Sequence, residues 1–285
     1  MRKTDPLGRF YTGAMAAHAF AGMFDDGPPG SVLDLGAGDG SLANALCSRW
    51  PGTAIQTVDI DPKAGGAARA CLEDACCEHR HLVCDVLDWN LPEKLEGRPF
   101  DLCISNPPYA NVLWRNGFSR ILEEAGLARL AVAPGSAISA ETLFLAQLLR
   151  LSRPGSEVGL IISDGMVASR RHLPFRQAIL DRLRVKRVVQ LPKGSFAGTE
   201  AQAYALVCLS EPLRRERRRL MNPETAIVSK SAFWMRQAGV RRRSGWTRKP
   251  RRRASTMASI VRRSAVSSRA SSPFAKSGRT YAVAH

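Results

Sequence analysis

The sequence predicts an α/β fold, a doubly wound and mostly parallel seven-stranded sheet followed by a disordered basic tail, on three observations. Seven short apolar runs, at residues 32–35, 54–58, 81–84, 102–104, 158–162, 185–191 and 203–209, alternate with stretches of helical character, and alternating β and α units imply a parallel sheet covered on both faces. Asp59, Asp85 and Asn106 stand at the ends of three of these runs, where such sheets carry their functional groups. Charge divides the chain: residues 1–212 hold 22 Lys+Arg against 23 Asp+Glu, whereas residues 213–285 hold 20 against 2, so the whole net charge of +17 sits in the last quarter. The first part is long enough to bury a core as one domain.

Taken in order, residues 31–35 form a strand that ends in Gly36, Gly38 and Gly40, alternate glycines that permit a tight turn and a close ligand approach before a helix over 41–50. A plain strand-to-helix connection would use the same residues. The spacing lacks the third glycine position of the dinucleotide fingerprint, which disfavours phosphate cradling. Asp34 precedes the first glycine, where a carboxylate can meet a cationic ligand end. The second strand ends in Asp59, about where an acid grips a ribose diol, and a helix over 63–78 follows. The third strand ends in Asp85, placed for a hydrogen bond to an adenine amino group.

The fourth strand runs into residues 105–110, Ser-Asn-Pro-Pro-Tyr-Ala. Two consecutive prolines fix φ and supply no N–H, so the strand stops and the carbonyls of Asn106 and Pro107 are left as acceptors. Asn106, Pro107, Pro108 and Tyr109 thus form a rigid hook. A planar amino group can donate one N–H to the Asn106 side-chain oxygen and the other to the Pro107 carbonyl, with Tyr109 against its ring. An ordinary Pro-Pro turn is the competing reading of the tetrapeptide alone. Between residues 111 and 139 the pattern is weak; the segment with Trp114, Arg115 and Phe118 either closes over the ring held at the hook or simply packs, and packing is the favoured reading. Helices over 140–151 and 174–183 flank the fifth strand, and the last two strands form a hairpin that carries Phe196.

These motifs resemble those of the N6-adenine DNA methyltransferase family of restriction-modification systems, within the class I S-adenosylmethionine-dependent methyltransferases. Asp34-Leu35-Gly36-Ala37-Gly38 resembles the cofactor loop, Asp59 the ribose acid, Asp85 the adenine-contacting acid, and Asn106-Pro107-Pro108-Tyr109 the catalytic tetrapeptide. Cofactor loop before hook is the gamma motif order. Gly8-Arg9-Phe10-Tyr11-Thr12 resembles the element that folds over the methionine part of the cofactor and implies a cofactor contact for Thr12, although the family usually has Pro where this chain has Gly13. Leu191-Pro192-Lys193-Gly194-Ser195-Phe196 resembles the loop whose aromatic residue stacks on the extruded base, so the resemblance implies stacking by Tyr109 and Phe196. On residue type alone Phe196 is a core aromatic.

The resemblance implies direct methyl transfer from S-adenosylmethionine to adenine N6 in DNA, without a metal. The same hook occurs in enzymes that methylate glutamine amides of release factors or guanine amino groups of ribosomal RNA; the Tyr11-Thr12 element paired with Phe196 favours adenine in DNA. A noncatalytic or vestigial DNA-binding protein is the reading from another class.

The tail carries Arg217-Arg218-Arg219, Arg241-Arg242-Arg243 and Arg251-Arg252-Arg253 among Ser and Ala stretches, with too few periodic apolar residues to order itself. It reads either as a nonspecific phosphate-binding arm, whose grip falls steeply with salt, or as a truncated or frame-shifted end that lacks a complete target-recognition domain. In the second case specific methylation needs a separate specificity or nuclease subunit. Seven cysteines without a framework spacing fit a reducing cytoplasm, and no apolar run approaches the roughly 18 residues of a membrane span. The adjacent Cys76 and Cys77 with His79, His81 and Cys84 do not match zinc-ligand spacing, and His18 and His172 read as structural.

Overall fold

The computed structural model describes residues 12–25, 27–72, 78–196 and 202–211. The expectations for residues 8–11, for Cys76 and Cys77, and for the tail over 213–285 lie outside them. Cys47 is disulfide-bonded, while Cys71, Cys84, Cys103 and Cys208 are free.

The most apolar runs take the middle of the sheet. Strand β1 (Ser31–Leu35) lies between β2 (Ala54–Asp59) and β4 (Phe100–Ser105) and pairs in parallel with both. Outside β2 comes β3 (His79–Val83), also parallel, and outside β4 comes β7 (Ser152–Ser163). The last strand, β9 (Ala203–Ser210), inserts antiparallel between β7 and β8 (Leu183–Gln190), giving the order β3-β2-β1-β4-β7-β9-β8. The fold is the expected seven-stranded, mostly parallel α/β sheet.

Side chains alternate across the sheet, so each central strand feeds two cores. Val32, Ile55, Leu102, Ile104 and Ile161 pack with α1 (Ala14–Ala21) and α2 (Ser41–Arg49), and with Leu72 at the end of α3 (Ala64–Leu72). Leu33, Leu35, Cys103, Val158 and Leu160 pack on the other face with α5 (Phe118–Glu124), α6 (Ala140–Leu151) and α8 (Leu173–Arg182). Two short helices, α4 (Leu91–Lys94) and α7 (Asp164–Ala168), and a hairpin of β5 (Asn111–Leu113) with β6 (Ala137–Ser139), complete the described elements.

Two close approaches aim the fold at one end of the sheet. A Cβ on Gly159 in β7 would fall 2.5 Å from Phe24 Cζ and 2.7 Å from Phe20 Cζ, so only glycine lets the edge-to-face Phe20–Phe24 pair seat α1 against the sheet. That seating brings Thr12, two residues ahead of α1, over the end of β4. On the opposite face Gln147 of α6 is fully buried and donates to the carbonyls of Val86 and Asp88 at 2.6 and 2.9 Å, tying the segment after β3 to the helix.

The elements differ from expectation mostly at their edges. The helix expected over 63–78 is described from Ala64 to Leu72, residues 73–77 lie outside the described residues, and Glu78 is not helical. Strand β3 begins two residues earlier than expected, because His79 already pairs with Ile55 of β2. Strand β7 begins at Ser152, six residues early, through a register shift against β4. Phe118 is fully buried and Trp114 packs edge-to-face on it at 5.7 Å, so the 111–139 segment does pack, through a hairpin and a helix that its sequence pattern left unread.

Candidate active site

The ends of β1, β2, β4 and the segment after β3 open on one cavity of about 300 Å³. Thr12, Gly36, Gly38, Asp59, Asp85, Asn106 and Pro108 all line it. The glycine turn is fixed by need: Gly36, Gly38 and Gly40 have φ of 70°, 55° and 81°, a region that side chains avoid. Gly36 donates its N–H to the Val58 carbonyl at 2.8 Å, and a Cβ there would lie 3.1 Å from the Phe144 ring. Asp59 holds the turn from below, accepting the Gly38 N–H at 2.9 Å on one oxygen and the Asp61 N–H at 2.8 Å on the other. Its carboxylate is thereby fixed in direction while retaining lone pairs for a ligand.

Asp85 accepts the Leu87 N–H at 2.8 Å and pairs with Arg115 at 2.5 Å. The arginine is about half exposed, so the pair holds little energy, roughly 0–1 kcal/mol, and a ligand donor can replace it. Asp34 does not line the cavity. Alternation turns it onto the α2 face, where it is fully buried and neither oxygen has a hydrogen-bond partner among the described residues. Burial first, and then the charges of Asp59 and Asp39, push its carboxyl up to about 8; the Ala43 amide of α2 opposes this without completing a hydrogen bond. The expectation that Asp34 touches a ligand is therefore corrected to an acid beneath the floor, acting through space.

At the hook, Asn106 donates through Nδ2 to the Thr12 hydroxyl at 2.9 Å, and the Tyr109 hydroxyl donates to Asn106 Oδ1 at 3.3 Å. Burial, with the nearby charge of Glu141, holds the Tyr109 phenol far above its usual range, so it stays a donor. Pro107 and Tyr109 are not among the residues that line this cavity; Pro107 is buried and Tyr109 partly buried beside it. Phe196 is 3% exposed and meets Tyr109 edge-on, at 6.2 Å and 84°, so a flat ligand cannot lie on both ring faces until one ring turns. An isolated β-bridge joins Thr12 to Phe196, and Gly13 donates to the Ser195 carbonyl at 2.8 Å. The two elements that the resemblance paired are thus physically paired.

Several wall residues escaped the sequence reading. Ile60, directly after Asp59, lines the cavity and is 53% exposed, and a single exposed apolar side chain gives no signal of its own in the sequence. Asn111 and Val112 come from the unread hairpin and Phe144 from α6, with no local signal. His79 and His81 each lie 2.8 Å from the Thr57 hydroxyl, and burial holds both rings below the usual imidazole range. Among the described residues no three His, Cys, Asp or Glu side chains gather as metal ligands, and no helix is long and apolar enough to cross a membrane.

Comparison with known proteins adds the family. A pattern described as methyltransferase small domain matches residues 15–128, and one described as N-6 DNA methylase matches residues 81–231. The tRNA1(Val) (adenine(37)-N6)-methyltransferase of Porphyromonas gingivalis is 35% identical over 107 residues, 35% of this chain and 41% of that protein. The release factor glutamine methyltransferase of Chlorobaculum tepidum is 35% identical over 98 residues, 34% of this chain and 33% of that protein. The chain therefore spans less than half the length of these curated relatives. The structure of a type I restriction-modification methyltransferase subunit from Streptococcus thermophilus shares the fold, with a TM-score of 0.60 and 23% identity over 73% of this chain and 46% of that one. Because the N-6 DNA methylase pattern takes in more than half of the sequence, from β3 through the hook to β9 and beyond, the chain belongs to that family of class I S-adenosylmethionine-dependent methyltransferases.

Proposed function

We propose that the chain transfers a methyl group from S-adenosylmethionine to the N6 amino group of adenine in DNA, as the methylating part of a restriction-modification system that works with a separate specificity or nuclease subunit. The observation that carries this reading is the single cavity shared by the glycine turn, the two acids and Asn106. The residues fit the cofactor: glycines without Cβ beside an apolar rim of Ile60, Val86 and Leu87, with Asp59 and Asp85 at separate strand ends. In this reading Gly36, Gly38 and Asp59 hold its ribose, Asp85 its adenine amino group, and Thr12 its amino-acid end. Asp34, a buried acid with no hydrogen-bond partner among the described residues, suits a cation above it. Bound there, the cofactor supplies an electrophilic methyl on a sulfonium.

The protein's own work is done at the hook. An adenine amino nitrogen is a poor nucleophile because its lone pair is delocalised into the ring. Two fixed acceptors, Asn106 Oδ1 and the Pro107 carbonyl, favour the positive charge that develops on that nitrogen in the transition state. Asn106 is no base, and none is required, since the methylated nitrogen is acidic enough to lose its proton to water. Extruding the base costs about a few kcal/mol, which stacking on Tyr109 and a turned Phe196 would offset. DNA is favoured by the family pattern and by the bridged Thr12–Phe196 pair.

Transfer of labelled methyl to DNA, total tRNA and a release-factor glutamine peptide, offered side by side, tests the substrate. Label in N6-methyladenine of DNA is the expected result. Label confined to tRNA or to the peptide would overturn the DNA reading while leaving the hook chemistry intact.

A further inference from the structure

We infer that Glu141 supplies the hook with negative charge: its buried carboxylate, fixed at the end of β7 beside the hook, favours positive charge on the group transferred and on the nitrogen that receives it. The inference rests on the proposed function and adds to it a residue that touches neither cofactor nor substrate. Two independent sets of contacts place the carboxylate. Glu141 is the second residue of α6, and the first, Ala140, lines the cavity and donates its N–H at 2.9 Å to the carbonyl of Ala110, which follows the hook. One oxygen of Glu141 accepts both the N–H and the hydroxyl of Ser163, each at 2.8 Å. Ser163 ends β7, and Leu160, three positions earlier, stands opposite Ser105 of β4. Carried on by this parallel register, Ser163 falls level with Pro108, one strand spacing of about 4.8 Å to the side. Tyr109 feels the same nearness, since the Glu141 charge helps to raise its phenol.

The bonds of Glu141 do not by themselves call for an acid. Glutamine would accept the same two bonds from Ser163, and a buried amide costs less than a buried charge. Glu141 nevertheless stands 4% exposed, and no cation pairs with it among the described residues. The first turn of α6 favours an acid through the helix dipole, but an exposed acid would serve that purpose equally. Burial raises the Glu141 carboxyl, whereas both Ser163 bonds lower it, so those bonds hold the charged form in place. The use of a charge held there is a cation that forms beside it. During transfer, positive charge builds on the amino nitrogen at the hook, and in a site closed to water a carboxylate one strand away acts on it with little screening. The amino group is neutral before transfer, so the carboxylate favours the transition state over the bound substrate. Asn106 and the Pro107 carbonyl supply dipoles to the nitrogen; Glu141 supplies the full charge behind them.

Two neutral variants of the full chain test this: Glu141→Gln, which keeps an acceptor for Ser163, and Glu141→Ala, which removes it. The probes are S-adenosylhomocysteine, neutral at the transferring position, and sinefungin, which carries an ammonium group where the cofactor carries its methyl. Calorimetry is expected to show sinefungin affinity, relative to S-adenosylhomocysteine, about tenfold lower in both variants than in wild type, with S-adenosylhomocysteine affinity itself unchanged. Single-turnover methylation of DNA is expected to slow by about the same factor at saturating cofactor and DNA, with the half-saturating DNA concentration unchanged. A wild-type ratio in Glu141→Gln overturns the inference, and if the ratio then falls only in Glu141→Ala, the acid is a tether for Ser163 and no more. Should one variant fail to bind S-adenosylhomocysteine, the other decides on the same criterion. The ratio needs no methyl acceptor, so the substrate reading fails separately. A ratio that falls in both variants, with no label reaching DNA in wild type, supports the charge at the hook and refutes DNA as the substrate.

Discussion

Replacing Asp34 by asparagine separates the electrostatic cost of this buried acid from everything else in the domain. The carboxyl is held at about 8 in the folded protein against 3.8 for the free group. A raised carboxyl stabilises the fold fully below the unfolded value and progressively less as pH climbs to the folded value. Its contribution is therefore complete below about pH 4 and gone above about pH 8, falling by about 1.4 kcal/mol per pH unit in between. At pH 7 the accumulated loss is about 4 kcal/mol, a large share of the 5–15 kcal/mol that domains of this size retain. Asparagine cannot ionise, so the stability difference between Asp34→Asn and wild type is expected to grow with that slope across pH 5, 6, 7 and 8 in urea unfolding. The variant's own unpaired amide displaces the line without tilting it. Parallel pH dependences for the two proteins would refute the placement of a proton on Asp34. The same proton gives a functional readout: calorimetry in buffers of different ionisation enthalpy is expected to find close to one proton released at pH 7 when sulfonium cofactor binds, and fewer with the neutral thioether product.

Asn106→Ala is expected to lower turnover by about 10²–10³-fold while S-adenosylhomocysteine affinity by calorimetry stays within about threefold; unchanged turnover would remove Asn106 from the chemistry. Gly159→Val, which drives methyl groups into Phe20 and Phe24, is expected to cost about 1–3 kcal/mol in urea unfolding and to weaken the contacts of Thr12 because α1 must shift. Gly36→Ala forces φ of 70° on a side chain and crowds Phe144, so a loss of about 1–2 kcal/mol is expected together with weaker cofactor binding. Arg115→Ala removes the exposed partner of Asp85; thermal stability is expected to move by less than about 1 kcal/mol, with S-adenosylhomocysteine binding tighter by up to about fivefold.

The chemistry of the site was legible where a residue type is forced by backbone geometry. Glycines at 36, 38 and 40 and prolines at 107 and 108 declare turns whatever surrounds them, and the acids at 59 and 85 follow apolar runs closely enough to be placed at strand ends. Asp34 was misassigned because a carboxylate next to a glycine turn looks exposed in one dimension. The alternation of β1, which turns it under α2, shows only when the neighbouring strands are in register. Phe144 and Val112 reach the cavity through the packing of α6 and the β5–β6 hairpin, and nothing within their own neighbourhoods marks them. The hydrogen bond between Thr12 and Asn106 spans 94 positions, and it exists because Gly159, still farther along, is small enough to let α1 settle. The segments around β3 and β7 were read too short since their first residues are polar and join the sheet only through their partners.

Placing β9 between β7 and β8 carries a consequence for how the domain comes into being. During synthesis β8 leaves the ribosome with no strand to pair with, because its only neighbour is made after it. Until the final eight residues of β9 arrive, one edge of the growing sheet stays open along β7, the unprotected kind of edge on which partly made chains associate. A stop anywhere before residue 203 therefore forfeits two strands rather than one, and with them the support of the loop that carries Phe196.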